Sequence, residues 1–143
     1  MAAVDETKVA LRIFGDSLVP EEISSLLGAN PDRSYCKGDP INDSTVRTSG
    51  MWSLVAKPRQ PGDLDNQIAE IFARATGDME IWRQLVARYR VDLFCGLFMN
   101  ETNEGLSLAP KTLAAIADRG IQIGLDIYSN GVLPDSAIHG GTR

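Results

Sequence analysis

Four side chains with the chemistry to form a polar site fall on predicted strands of this 143-residue chain: Arg12, Arg47, Asp126 and Tyr128. Asp126 and Tyr128 alternate with apolar residues, so they share one face of a strand, and the strand phases place both arginines on the same face. A carboxylate–guanidinium pair is therefore geometrically possible. A catalytic acid or base also needs a cleft that perturbs its pKa, and no second carboxylate is predicted beside Asp126. We expect structural pairing and predict no catalytic residue.

The other reactive residue types form no recognisable site. His139, the only histidine, lies in a polar stretch without neighbouring ligands, so the sequence predicts neither a zinc site nor a catalytic triad. Cys36 and Cys95 match no metal-ligand spacing, and the apolar run around Cys95 is typical of a buried, reduced thiol. The glycines form no dinucleotide- or phosphate-binding loop. We therefore predict no metal and no cofactor.

The pattern of apolar residues predicts the elements that position these side chains. Alternation at Lys8–Phe14 and Ile121–Tyr128 is typical of half-buried strands, and the apolar run Val91–Met99 predicts an interior strand. The segment Thr45–Ala56 is predicted as a strand whose Trp52 packs in the core. Prolines at first helical positions, aspartate N-caps and terminal glycines predict helices that begin near Pro20, Asp63, Asp78 and Pro110. The middle two are either separate helices or one kinked helix.

The order of these elements predicts an α+β fold. We expect a mainly antiparallel or mixed sheet with helices packed on one face, of ferredoxin-like character. A weak similarity between Ser17–Gly28 and Ser107–Gly120 indicates an internal strand–helix–strand repeat, for which coincident turn and helix signals are the alternative explanation. We predict a single domain at 8–129, an N-terminal extension at 1–7 and a flexible C-terminal tail at 130–143.

Strand phase divides the predicted sheet into two chemically different faces. One face is aliphatic, includes Leu125 and Ile127, and is expected to contact the helices. The opposite face mixes aromatic, basic and small polar residues, a composition typical of an interface or a shallow ligand site. Coverage of this face by the 29–43 loop or by the C-terminal tail is the alternative. The predicted binding residues are Arg12, Phe14, Arg47, Met51, Phe94, Phe98, Asp126 and Tyr128.

Charge and composition limit the kinds of partner. The formal net charge is −5 and the sequence pI is about 4.8, which argues against sequence-independent binding of nucleic acid. Arg83, Arg88 and Arg90 are expected to form a solvated basic cluster. The N-terminus does not resemble a signal peptide, and no apolar run reaches the roughly 18–20 residues that cross a bilayer. We expect a soluble cytoplasmic protein without a membrane or nucleic-acid partner.

Several short patterns occur together in an order that resembles a known family. They are an early strand ending in glycine, the helix start Pro20-Glu21-Glu22-Ile23, the turn Lys37-Gly38-Asp39, and the segments Ser49-Gly50-Met51-Trp52 and Leu125-Asp126-Ile127-Tyr128. Over roughly residues 8–129, their order and spacing resemble the bacterial DUF4279 family. The resemblance implies a cytoplasmic bacterial or phage-associated domain and supplies no catalytic residue.

These observations predict a non-enzymatic protein-binding module that uses the open face of its sheet. The acidic charge suits an immunity- or inhibitor-type domain that caps a basic protein, and self-association through the same face is also compatible. The alternative is a small-molecule-binding or enzymatic domain with a shallow pocket on this face. In that alternative, the 29–43 loop closes the pocket and Arg47, Asp126 and Tyr128 anchor the ligand. A structural role inside a larger assembly is the third hypothesis.

Overall fold

The computed structural model describes residues 2–129, which form seven strands and four helices. The predicted C-terminal tail at 130–143, and His139 within it, lie outside the described residues. The strands are β1 (Ala2–Ala3), β2 (Glu6–Gly15), β3 (Arg33–Tyr35), β4 (Gly50–Val55), β5 (Arg90–Phe98), β6 (Glu104–Gly105) and β7 (Gln122–Tyr128). The helices are α1 (Pro20–Leu27), α2 (Leu64–Ala73), α3 (Met79–Arg88) and α4 (Pro110–Asp118).

Five strands form one mixed sheet in the order β3-β4-β2-β5-β7. Only β5 and β7 are parallel, and the other three neighbouring pairs are antiparallel. The short strands β1 and β6 pair in parallel beside this sheet. All four helices pack on one side of the sheet, with α1 against β4, α2 against β2, α3 against β5 and α4 against β7. The predicted α+β class and the one-sided helix layer are confirmed.

The core lies between the sheet and the helix layer. Leu11, Ile13 and Leu93 face the helices with no exposed surface, because alternate residues of a strand point to opposite faces. Trp52 is also fully buried, and its Nε1 donates a hydrogen bond to the Ser24 hydroxyl of α1 at 2.9 Å. The prediction that Trp52 is a core residue is confirmed.

Local signals in the sequence set the ends of the helices. Pro20 starts α1, and Gly28 ends it in the left-handed conformation (φ 66°) that glycine adopts without steric cost. The Asp63 carboxylate accepts from the Asn66 backbone N–H at the start of α2, and Asp78 accepts from Glu80 at the start of α3. The two middle segments are therefore separate helices, each with its own N-cap.

The N-terminal residues take part in the sheet. Strand β2 begins at Glu6 rather than at Lys8, and Val4 is buried. Residues 2–3 pair with Glu104 and the residue after it. The Glu104 carboxylate accepts from the backbone N–H groups of Asp5, Asn100 and Glu101, which holds this loop against the N-terminal segment.

The two strand–helix–strand units differ in how their strands pair. Around α1, β2 and β4 are antiparallel neighbours, whereas around α4, β5 and β7 are parallel neighbours. A ferredoxin-like fold is built from split βαβ units, in which another strand separates the two parallel strands. The unit around α1 has that arrangement, because β2 and β3 are both antiparallel to β4, which lies between them. The unit around α4 does not, because β5 and β7 are adjacent. The similarity of Ser17–Gly28 and Ser107–Gly120 therefore reflects shared helix signals and not one repeated arrangement of strands.

Strand β7 forms the edge of the sheet next to α4. Leu125 and Ile127 follow the register of Cys95 and Leu97, so they lie on the helix side as predicted. They are nevertheless 50% and 59% exposed, because the helix layer does not extend over this edge. The expectation that both side chains pack against the helices is wrong.

Candidate functional site

The sheet face that the helices leave uncovered is the candidate site, and we call it the open face. It consists of alternate residues of β2 to β5 and β7 directed away from the helices. Its aromatic members are Phe14, Tyr35, Phe94, Phe98 and Tyr128, its cations are Lys8, Arg12, Arg33 and Arg90, and its carboxylates are Glu6, Asp92 and Asp126.

Arg12 lies near the centre of the open face and is held on three sides. Its Nε and Nη2 donate to the two carboxylate oxygens of Asp92, at 2.9 and 2.7 Å. The guanidinium also lies over the ring of Phe94, 4.4 Å from its centroid, and over that of Phe14 at 5.1 Å. The hydrogen bonds to Asp92 raise the pKa of Arg12 despite partial desolvation. The expected carboxylate–guanidinium pair therefore exists, but its acid is Asp92.

Asp126 and Tyr128 pair with each other. The Tyr128 hydroxyl donates to the Asp126 carboxylate at 2.5 Å, and the Tyr128 ring stacks on Phe98 with centroids 4.8 Å apart and planes 6° apart. Phe98 is only 6% exposed because its ring lies over Gly96, where an added Cβ would be 3.2 Å from the ring edge. Asp126 is opposite Gly96 in the register, so it is offset from Arg12 along the strands.

Arg47 reaches the site from a loop. The prediction that it lies on a strand is wrong, because β4 begins only at Gly50 and residues 36–49 fold back as a loop. The Arg47 N–H donates to the Asp39 carbonyl at 2.8 Å, and its carbonyl accepts from Gly38 at 2.9 Å. Its guanidinium lies over the Tyr35 ring, 4.1 Å from the centroid. Arg47 therefore borders the open face without belonging to a strand.

Concave regions lie at two separate corners of the open face. A groove of about 320 Å³ lies beside the loop, between Phe14, Tyr35, Arg47 and Arg90. Met51 is paired with Phe14 and Tyr35 in the sheet and is only 5% exposed. At the other corner, a shallower hollow of about 130 Å³ is lined by Lys8, Phe94, Phe98 and Tyr128.

The predicted pocket with three polar anchors is not formed. Phe14, at the Arg47 corner, and Glu6, at the Tyr128 corner, are eight residues apart on β2. At roughly 3.3 Å per residue, Tyr128 is about 26 Å from Phe14 along the strands, and Asp126, which is level with Lys8, is about 20 Å from it. A small ligand at the Arg47 corner therefore reaches neither residue.

The exposed charges on the open face are positive. Lys8, Arg33 and Arg90 are exposed, whereas the three carboxylates of the face are only partly exposed. Asp92 is engaged by Arg12, and Asp126 accepts from a tyrosine hydroxyl. Counting Arg47 at the border, five cations lie against three carboxylates, although the whole chain carries a formal charge of −5.

A family model described as "Domain of unknown function (DUF4279)" matches residues 5–130. The chain belongs to this family. The match begins one residue before β2 and covers all of the five-stranded sheet, so the open face lies within the DUF4279 domain. No curated protein and no solved structure matches the chain. Within residues 2–129, no helix has both the length and the apolar composition required to span a bilayer.

Other reactive groups of the DUF4279 domain lie apart from the open face. Cys95 is on the helix side, fully buried, and desolvation raises the pKa of its thiol to about 12. It is therefore protonated and a poor nucleophile at neutral pH. The predicted basic cluster is divided, since Arg83 pairs with Glu80, Arg88 pairs with Glu22, and Arg90 lies on the open face.

Several residues of the open face were not predicted as site residues. Lys8, Arg90 and Asp92 share the strand phase of Arg12 or Phe94, so alternation alone was a sufficient signal for them. Arg33 and Tyr35 belong to a strand of three residues, which is too short for a reliable alternation pattern. Their place on the face depends on pairing with β4, which the sequence does not reveal.

Proposed function

We propose that this DUF4279 protein is a non-enzymatic binding module whose open face docks an acidic surface of a protein partner. The observation that carries the proposal is the set of exposed cations Lys8, Arg33 and Arg90 on the one sheet face without helices. Arginine and aromatic side chains are enriched at protein interfaces, and complementary charge accelerates association. An immunity- or inhibitor-type role is compatible with this surface.

The placement of charge changes the kind of partner we propose. The net charge of −5 alone favours a basic partner, but a basic protein would meet like charges on the open face. Self-association through two copies of this face meets the same repulsion, since juxtaposed like charges cost several kcal/mol. An acidic partner avoids both penalties.

Stacking on aromatic rings restricts the conformations of the cations before a partner binds. Arg90 lies 4.7 Å from the centroid of Phe14, and Lys8 lies 5.2 Å from that of Phe98. A cation over a ring gains electrostatic stabilisation and loses rotamer freedom before a partner arrives. Less conformational entropy is then lost on binding, and this favours affinity.

Charge reversal on the open face tests the proposal. Partners captured from the source cells by tagged wild-type protein are compared with those captured by Arg33→Glu/Arg90→Glu, and the identified partner is then titrated calorimetrically. We expect the double variant to weaken binding about a hundredfold or more, because it places like charges together. Arg83→Glu is the matched control, since Arg83 lies on α3 outside the open face.

Two results would contradict this proposal. One is a partner that binds the double variant as tightly as it binds wild type. The other is a dimer in light scattering that dissociates on charge reversal, which would assign the open face to self-association.

We also place the domain in a reducing cytoplasm. The presence of Cys36 and Cys95 as two free thiols, one of them buried in the core, supports that location.

The small-molecule hypothesis keeps one specific observation in its favour. The groove of about 320 Å³ beside Arg47 and Arg90 combines two guanidinium groups with the rings of Phe14 and Tyr35, which suits a planar anion. A thermal-shift screen with anionic nucleotides and metabolites tests it. A hit that persists in Arg47→Ala, or no hit at all, counts against it.

A further inference from the structure

A second concave surface lies on the helix side of the molecule, in a groove between α2 and α4. It encloses about 330 Å³, which is at the lower end of the range for small-molecule pockets. Its walls are mainly apolar and include Ile68 and Phe72 of α2 and Ala115 of α4. No residue of the open face lines it.

At one end of the groove, the Asp65 carboxylate already accepts hydrogen bonds from within the protein. Asp65 accepts a hydrogen bond from the Thr112 hydroxyl at 2.5 Å and another from the Ala109 backbone N–H at 3.1 Å. These contacts tie α2 to the N-terminal end of α4. Both hydrogen bonds end on Oδ1 of Asp65, and among residues 2–129 this carboxylate forms no ion pair.

The other end of the groove holds Arg119, a cation that forms no ion pair with residues 2–129. Its guanidinium lies over Phe72, 4.0 Å from the ring centroid, and 5.4 Å from the centroid of Trp82. Its Nη1 donates to the Ala115 carbonyl at 2.9 Å, whereas its Nε–H is buried without an acceptor among residues 2–129. Burial lowers the pKa of Arg119, and the nearby charge of Asp118 only partly opposes this effect.

Arg12 and Arg119 are both half-buried, and their surroundings make an informative comparison. Arg12 presents its Nε and Nη2 to a carboxylate, Asp92, in the bidentate geometry that guanidinium groups favour. Arg119 forms no ion pair within the described chain, and the corresponding Nε edge has no acceptor there. If the guanidinium turns so that Nε faces the groove, an external carboxylate would supply the acceptor that Asp92 supplies to Arg12.

We propose that the α2–α4 groove binds a small monocarboxylate with an apolar body. The carboxylate pairs with Arg119, and the apolar body lies along Ile68, Phe72 and Ala115. The groove is about 12 Å long, because eight helical residues separate Lys111 from Arg119 at roughly 1.5 Å each. Lys111 at the rim adds a second positive charge. A neutral or cationic amphiphile would leave the guanidinium desolvated and unpaired, so the groove selects acids.

Calorimetric titration of the full chain with decanoate and with 2-naphthoate tests the proposal. We expect saturable binding of one molecule of at least one acid below its aggregation concentration, and at least tenfold weaker binding of decanol and decylamine. Arg119→Met should weaken binding of the acid about ten- to a hundredfold, as expected for loss of hydrogen bonds to a charged group. Arg119→Lys should recover part of that loss.

Two further variants separate this site from a general effect on folding. Ala69→Leu fills the groove from an exposed position of α2, so it should abolish binding without removing Arg119. Arg83→Met removes an arginine outside the groove and should bind as wild type does. The nitrogen resonance of Arg119 Nε should shift on titration. Absence of saturable binding by both acids, equal binding of decanol, or full affinity in Arg119→Met would overturn the proposal. The outcome is independent of the open face.

Discussion

Alternate residues of each strand point to opposite faces of the five-stranded sheet, and the two faces differ in burial and charge. On the helix side, side chains such as Leu11 and Leu93 are completely buried, and the buried Gln67 amide donates to the Thr7 carbonyl. On the open face, cations lie over aromatic rings and remain exposed or half-buried. The difference indicates that the helix side supplies most of the folding free energy, while the open face retains exposed charge.

The largest expected effect comes from removing the central tryptophan of the helix side. Trp52→Ala should destabilise the protein by about 3–5 kcal/mol, because it leaves a cavity and an unpaired Ser24 hydroxyl. Phe94→Ala on the open face should cost only about 1 kcal/mol, since that ring is partly exposed before the change. Urea unfolding followed by circular dichroism measures both values. Equal losses would show that the open face is as much a core as the helix side.

A buried hydrogen-bonded network gives the second comparison. The Gln67 side-chain amide donates to the carbonyls of Thr7 and Lys57 at 2.8 and 2.9 Å, and its oxygen accepts from the Thr7 hydroxyl at 2.5 Å. Gln67→Met should cost about 2–3 kcal/mol, because it leaves buried carbonyls without donors. Gln122→Met, at an exposed site on the open face, should stay within about 0.5 kcal/mol of wild type.

The ion pair of the open face should contribute less to the free energy of unfolding than the Gln67 network does. The side chains of Arg12 and Asp92 are 32% and 15% exposed, so solvent screens part of their attraction. We expect Asp92→Asn to cost about 1–2 kcal/mol, and a double-mutant cycle with Arg12→Met to give a coupling of about 1 kcal/mol. Glu80→Gln, which breaks an exposed pair on α3, is the control and should change stability by less than about 0.5 kcal/mol. A coupling near zero would mean that the rings alone hold Arg12.

The smallest effect concerns pH and the C-terminal end of β4, where Asp32 accepts from the Val55 N–H. Hydrogen bonds from Arg74, and to a smaller extent the one from the Val55 N–H, lower the pKa of Asp32 below its usual 3.8. Because the pKa is lower in the folded state, the stabilisation is complete above about pH 4 and is lost as the pH falls through the folded value. Asp32→Asn should lose well under 1 kcal/mol at neutral pH, since both side chains are more than a third exposed. Urea midpoints of the two proteins should converge in acid.

Most of the helices and strands were predictable because their signals are local. Pro20, Gly28 and Asp63 act within one helical turn, so the sequence places α1 and the start of α2 correctly. The partner of Arg12 was not predictable, since it depends on the register that sets Arg12 opposite Asp92, 80 residues away. Register depends on how two strands pair, so the local signals within one strand do not determine it.

The error at Arg47 has a clear physical cause. The run Thr45–Ser49 has the β-branched composition of a strand and continues directly into β4. Its neighbour in the sheet, β2, ends at Gly15, which pairs with Gly50. With no partner strand beyond that point, the backbone of residues 45–49 finds its hydrogen bonds within the loop instead. The composition of residues 45–49 is compatible with a strand, but the end of β2 at Gly15 determines where β4 stops pairing with it.

The central position of β2 has a consequence for the order of folding. This strand pairs with β4 on one side and with β5 on the other, and its first residue lies opposite Phe98. Because β5 is distant from β2 in the chain, pairing the two strands closes a long loop. The chain loses this loop-closure entropy before most of the core contacts form. We expect the β2–β4 pair, which α1 and β3 connect, and the β5–α4–β7 unit to assemble first, because their strands are closer in the chain than β2 and β5 are. The β2–β5 seam, which joins the two halves, then forms in the rate-limiting step.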